Sequence, residues 1–137
     1  MRVLALDYGS ARCGCALSDP TGTLATPLEP VLRPATMAGI RALRGLVAER
    51  GVDRVVVGLP LSLSGRDSDQ TREARAFADR LRSALGAGVP IELYDERFTT
   101  AIAARSGSAE TSEDSRAAAV LLDDWLARHG HEHRSEA

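Results

Sequence analysis

Residues 1–9, MRVLALDYG, decide the fold: the apolar run Val3-Leu4-Ala5-Leu6 ends in Asp7, and the chain then turns at Gly9. An unbroken apolar run of strand length reads as a strand covered on both faces, the pattern of a central strand in a layered α/β sheet. Asp7 then stands at the mouth of a core strand. A carboxylate near a core is costly unless its charge is compensated, so Asp7 either caps the following turn or faces a cation, a metal ion or backbone donors. Gly9 allows the backbone to turn and to approach a ligand closely.

The next residues extend this strand into a sheet. Residues 12–17 (RCGCAL) read as a second strand in a hairpin with the first, and residues 23–32 as a third. Pro27 and Pro30 interrupt that third strand and cannot donate to a ladder, which suits an edge. Met37, Ile40, Leu43, Leu46 and Val47 then recur at helical spacing up to Gly51, a glycine placed to end a helix. Residues 53–58 (DRVVVG) form another apolar strand, followed by the loop 58–65 (GLPLSLSG). Asp67 or Ser68 can cap the next helix, with Gln70 at capping-box spacing from Asp67 and Ala74, Phe77, Ala78, Leu81 and Leu85 as its apolar stripe. Residues 89–95 predict a fifth strand, 99–105 a short helix, and 116–128 a last helix with Ala117, Val120, Leu121 and Leu126 facing in. Residues 129–137 read as a polar tail that frays past Ala127.

The order β-β-β-α-β-α-β-α-α predicts an α/β protein with a mixed five-stranded sheet, and right-handed crossovers put helices on both of its faces. Ligands of such sheets bind outside the carboxyl ends of the parallel strands, where Asp7, the 58–65 loop and Asp95-Glu96 would gather. If the fifth strand lies beyond the fourth, Glu96 is two strands from Asp7. Each acid also has a plainer role: Asp95-Glu96 can pair with Arg97, and Asp114 can stabilise the last helix N-terminus behind a Thr111 or Ser112 cap.

Composition narrows the classes. The 137 residues make one domain's worth of chain with 44% apolar residues. All 17 basic residues are arginine, against 19 acids, for a formal charge of −2, so bulk charge does not announce a nucleic-acid binder. Bound divalent cations would reverse that sign. The longest apolar run falls far short of the ~18 residues of a membrane helix, and no signal peptide is read ahead of the first strand, so the expectation is a cytoplasmic protein. Cys13 and Cys15 lie two apart on one face of a strand, a poor geometry for a disulfide, and read as two packed thiols. His129, His131 and His133 read as solvated residues of the tail rather than metal ligands.

Four ordered motifs resemble the YqgF family of RNase H-like nucleases, described both as pre-16S ribosomal RNA nucleases and as Holliday junction resolvases. They are Ala5-Leu6-Asp7-Tyr8-Gly9 with Arg12 and Gly14; Val57-Gly58-Leu59-Pro60-Leu61; Asp95-Glu96-Arg97-Phe98-Thr99-Thr100; and Asp114 followed by Ala117-Ala118, Leu121-Leu122 and Trp125-Leu126. The resemblance implies an RNase H-like domain over residues 1–128, with Asp7, Glu96 and Asp114 as catalytic and metal-binding acids. The stretch 106–113 (SGSAETSE) departs from the family in being acidic where basic residues are expected.

The implied chemistry agrees with the residue types. Phosphodiester hydrolysis needs an activated water and a stabilised leaving oxygen, and two divalent ions about 4 Å apart supply both. Carboxylates are hard ligands suited to Mg²⁺ or Mn²⁺. Crowded acids raise one another's pKa, so activity should rise with pH through the lower neutral range. Gly9, Arg12, Ser62, Arg97 and Thr99 are the candidates to touch the substrate backbone.

Three functions follow: a metal-dependent nuclease maturing the 5′ end of 16S rRNA, with resolution of four-way DNA junctions as its alternative; an ATP-using enzyme of the actin and sugar-kinase type, since Asp7-Tyr8-Gly9-Ser10 also resembles their first phosphate loop; and a non-catalytic factor that binds ribosomal RNA. The kinase architecture needs two lobes, and 137 residues supply one. Nucleic acid, RNA ahead of DNA, is the expected partner of a monomer or homodimer.

Overall fold

The computed structural model describes residues 1–59, 68–95 and 113–135, with the side chains of 113, 114 and 130–135 left aside. Three strands come first: β1 (Val3–Asp7), β2 (Arg12–Ser18) and β3 (Ala25–Leu32). Then follow α1 (Met37–Arg50), β4 (Arg54–Leu59), α2 (Asp69–Leu85), β5 (Ile91–Asp95) and α3 (Glu113–Ser135). The sheet order is β3-β2-β1-β4-β5, with β2 antiparallel to both β1 and β3, and β1, β4 and β5 parallel to one another. The expected mixed sheet is therefore present, with its proline-bearing strand at an edge.

Alternation along the strands divides the core into two layers. Leu4, Leu6, Cys13, Cys15, Leu17, Val55 and Val57 point to one face and pack against Leu43 and Val47 of α1 and Phe77, Ala78 and Leu81 of α2. Val3, Ala5, Ala16 and Val56 point to the other and pack against Ala118, Leu121, Leu122, Trp125 and Leu126 of α3. Helices thus cover both faces, which is why β1 reads as continuously apolar. Both cysteines are buried and free, the Cys15 thiol donating to the Cys13 carbonyl at 3.5 Å.

Helix boundaries follow local chemistry. Thr36 caps α1, its Oγ1 accepting from Gly39 N at 3.1 Å, and Gly51 ends it at φ 61°, a left-handed conformation that glycine adopts without strain. Ser68 caps α2 and accepts from Thr71 N at 3.2 Å. The alternative cap Asp67, the 60–65 part of the loop and the 99–105 helix lie outside the described residues.

The last helix differs from expectation twice. Its buried residues are Ser115, Ala118, Leu121, Leu122, Trp125 and Leu126, whereas Ala117 and Val120 are only half-buried. It also runs to Ser135 instead of fraying past Ala127. The His129 ring stacks on Trp125 with centroids 4.3 Å apart, and His129 Nδ1 lies 2.9 Å from the Trp125 carbonyl. Trp125 Nε1 donates to Glu92 of β5 at 2.8 Å, and Glu92 also pairs with Arg54 at 3.1 Å. Tyr94 of β5 donates to Asp124, which pairs with Arg128 at 3.0 Å. These ties to the sheet hold the polar turn that local composition alone would release, and His129 is half-buried rather than a solvated tail residue. No helix among the described residues is long and apolar enough to cross a membrane.

Candidate active site

Asp7 is the last residue of β1, half-buried, directly after four residues with almost no exposure. It is in register with Gly14 of β2, while Leu6 is in register with Cys15 on one side and Val57 of β4 on the other. By strand alternation Asp7 lies on the face that Val3 and Ala5 give to α3. Tyr8 turns to the opposite side, stacking on Phe77 at 4.7 Å, and its phenol is held above its usual range chiefly by burial, with Glu73 and Cys13 adding and Arg80 opposing. Tyr8 is thus a packing residue that fixes the chain beyond Asp7.

The turn after Asp7 is tight. A Cβ on Gly9 would lie 2.6 Å from the Arg12 carbonyl, closer than real Cβ contacts come. Gly9→Ala must therefore displace backbone, and a loss of about 1 to 3 kcal/mol is expected, read as a lowered urea midpoint. An unchanged midpoint would show that the turn yields freely. Arg12, exposed, opens β2 at this same end of the sheet.

The start of α3 comes to the same place through Ser115, a residue with no role in the sequence motifs. Ser115 is fully buried, and its Oγ accepts from Cys15 N at 3.4 Å, one residue from the Asp7–Gly14 pair. Asp114 precedes Ser115 in the first turn of α3, so this helix end lies over the sheet end that carries Asp7. Nothing local marks Ser115; it is one of several small polar residues at the helix start.

The third segment arrives through β5. Asp95 ends that strand in register with Leu59, one step beyond the Tyr94–Gly58 pair, and β4 lies between β5 and β1. Two strand spacings, about 9 to 10 Å, thus separate β1 from β5, the separation anticipated for Glu96. Glu96 directly follows Asp95 but, with Ser62, Arg97 and Thr99, lies outside the described residues. The structure therefore places Asp7, Gly9, Arg12 and the helix turn of Asp114 at one end of the sheet, with Asp95 at the same end two strands away. Among the described residues there is no cluster of three metal-ligating side chains; Asp7 is the only one of the three candidate acids whose side chain is described. Its carboxylate, at a core strand's end beside the start of α3, has the hard oxygen donors that Mg²⁺ or Mn²⁺ takes.

Comparison with known proteins identifies the family and the fold. A family model described as "RuvX: Holliday junction resolvase" matches residues 1–128. A protein of Koribacter versatilis named "Putative pre-16S rRNA nuclease" is 39% identical over 137 aligned positions, covering 94% of this chain and 88% of its own length. One of the same name from Mycobacterium leprae is 41% identical, covering 91% of this chain and 72% of its own. Among solved structures, Thermus thermophilus RuvC in complex with Holliday junction substrate superposes with a TM-score of 0.61 at 17% identity, covering 95% of this chain and 96% of that one. That likeness is one of fold, and the fold is RNase H-like. The chain belongs to the RuvX family, the YqgF family that its four sequence motifs resemble.

Proposed function

We propose that this protein is a metal-dependent nuclease of the cytoplasm that hydrolyses phosphodiester bonds in precursor ribosomal RNA, at the 5′ side of 16S rRNA. The observation that carries the reading is the convergence of Asp7, at the mouth of β1, with the first turn of α3, anchored by Ser115 on Cys15 N. Asp7, Glu96 and Asp114 would hold two Mg²⁺ or Mn²⁺ ions. When bound, such ions supply activation of the attacking water and stabilisation of the leaving oxygen. The chain's own part is positioning. Gly9, with no side chain in a turn this close, leaves the backbone open to a phosphate, and Arg12 and Arg97 offer guanidinium groups to neighbouring phosphates. Ser62 and Thr99 would donate hydroxyl hydrogen bonds to the same backbone.

RNA ranks ahead of a DNA junction because the relatives at 39% and 41% identity bear an rRNA nuclease name. The family's resolvase description supports the alternative. Symmetric resolution also needs two active sites in a two-fold dimer, which a monomer cutting flexible RNA does not. A side-by-side assay with Mn²⁺ on a ribosomal precursor fragment, single-stranded DNA and a synthetic four-way junction should show cleavage of the RNA. Paired, symmetric nicks in the junction with the RNA left whole would reverse the ranking. Binding of the precursor with no cut in any substrate would leave an assembly factor.

A further inference from the structure

On the face away from α3, helices α1 and α2 leave between them a groove of about 470 Å³ whose charged lining is entirely basic, Arg41, Arg44 and Arg80, with Met37 and Ile40 as apolar wall. A groove of similar size over β3 and α1 has Glu29 and Glu49 as its charged side chains, so a basic lining is no general feature of this surface. Elsewhere among the described residues, Arg54, Arg72, Arg82 and Arg128 each pair with a carboxylate. Arg41, Arg44 and Arg80 pair with none of the described acids; Arg80 donates instead to the neutral Ala35 carbonyl. Three like charges around one groove attract an anion that binds several of them at once.

This groove is joined to the active-site end. Ala35, which Arg80 grips, lies in the link between β3 and α1, and in that link Arg33 N donates to the Ala11 carbonyl at 2.9 Å, next to Arg12. Arg33 has φ 45°, the only non-glycine at positive φ among the described residues. Such a conformation is strained for a residue with a side chain. It is held there by Thr36, whose N and Oγ1 donate to the Arg33 carbonyl at 3.1 and 2.7 Å, and Gly39 makes room for that carbonyl, with which any Cβ at 39 would collide. The strained turn presents an exposed arginine beside Arg12.

We propose that Arg12, Arg33, Arg80, Arg41 and Arg44 form one track for the phosphodiester backbone of a single-stranded nucleic acid, leading from the cut at Asp7 into the α1–α2 groove. The groove's arginines take phosphates distal to the cut, and Met37, 74% exposed, with Ile40 offers apolar surface to a base or ribose. The track deepens the nuclease reading and rests on it for its direction along the strand.

The test is equilibrium binding of a fluorescent single-stranded RNA by the full chain across a salt series. Each lost phosphate contact on a single strand lowers the slope of log affinity against log salt by about 0.7, so Arg41→Gln/Arg44→Gln/Arg80→Gln should lower it by about 2. Arg41→Gln/Arg44→Gln alone leaves the Arg80 bond to Ala35 intact and should give about two-thirds of that change. Arg82→Gln, on the flank of α2 that faces β5 and already paired with Asp79, should leave the slope as it is. A triple variant with wild-type melting temperature, slope and affinity would overturn the track. The expected slope changes in a protein that cuts no substrate would instead support the track and sink the nuclease reading.

Discussion

Asp7→Asn should reduce Mn²⁺-dependent cleavage by more than about a hundredfold, because removing even a residue that merely orients a metal ligand costs 10 to 100-fold. The substitution keeps the shape of the side chain and removes its charge. Asp7 ends a strand whose preceding residues are buried to within 1% of full burial, and it is only half-buried itself. An isosteric amide at this half-buried strand end should leave the fold in place, read as a wild-type circular dichroism spectrum. Loss of activity with the fold kept is the signature of a functional acid. Full activity in a folded Asp7→Asn protein would remove Asp7 from the chemistry.

Trp125→Ala should be the most destabilising single change, at about 3 to 5 kcal/mol for deletion of a large buried aromatic side chain. Trp125 is 1% exposed at the centre of the layer between α3 and the sheet. Its loss also leaves Glu92 without the indole N–H and His129 without its stacking partner, and it removes the ring 6.0 Å from the Arg54 guanidinium. Chemical denaturation followed by far-ultraviolet circular dichroism would read it. A loss below about 1 kcal/mol would mean that α3 does not depend on this layer. Because α3 also carries Asp114, Trp125→Phe should keep more activity than Trp125→Ala by keeping the helix seated.

The strands and the first two helices were legible because their patterns are local. Val3-Leu4-Ala5-Leu6 and Val55-Val56-Val57 are short apolar runs, and Gly51 and Ser68 sit where a helix must end or begin. Even the distance between Asp7 and the β5 end followed once β5 was placed beyond β4. The last helix was legible in existence but not in rotation or length. Its Arg116-Ala117-Ala118-Ala119 start offers two stripes at helical spacing, and small side chains do not distinguish them. Two contacts far apart in sequence decide: Ser115 on Cys15 N and Trp125 on Glu92. The same long-range ties hold His129, which reads as tail from composition alone. At the site, Asp7, Gly9 and Arg12 could be read from one motif, whereas the seat of Asp114 depends on Ser115, and the strain at Arg33 depends on a turn packed against Gly39.

Metal binding by Asp7 together with Asp114 is the central claim, and titration calorimetry with Mn²⁺ measures it without any substrate. Wild-type protein should bind Mn²⁺ with measurable heat, Asp7→Asn should bind none while keeping its circular dichroism spectrum, and Asp114→Asn should bind more weakly than wild type. Equal heats and affinities for wild type and a folded Asp7→Asn would contradict it.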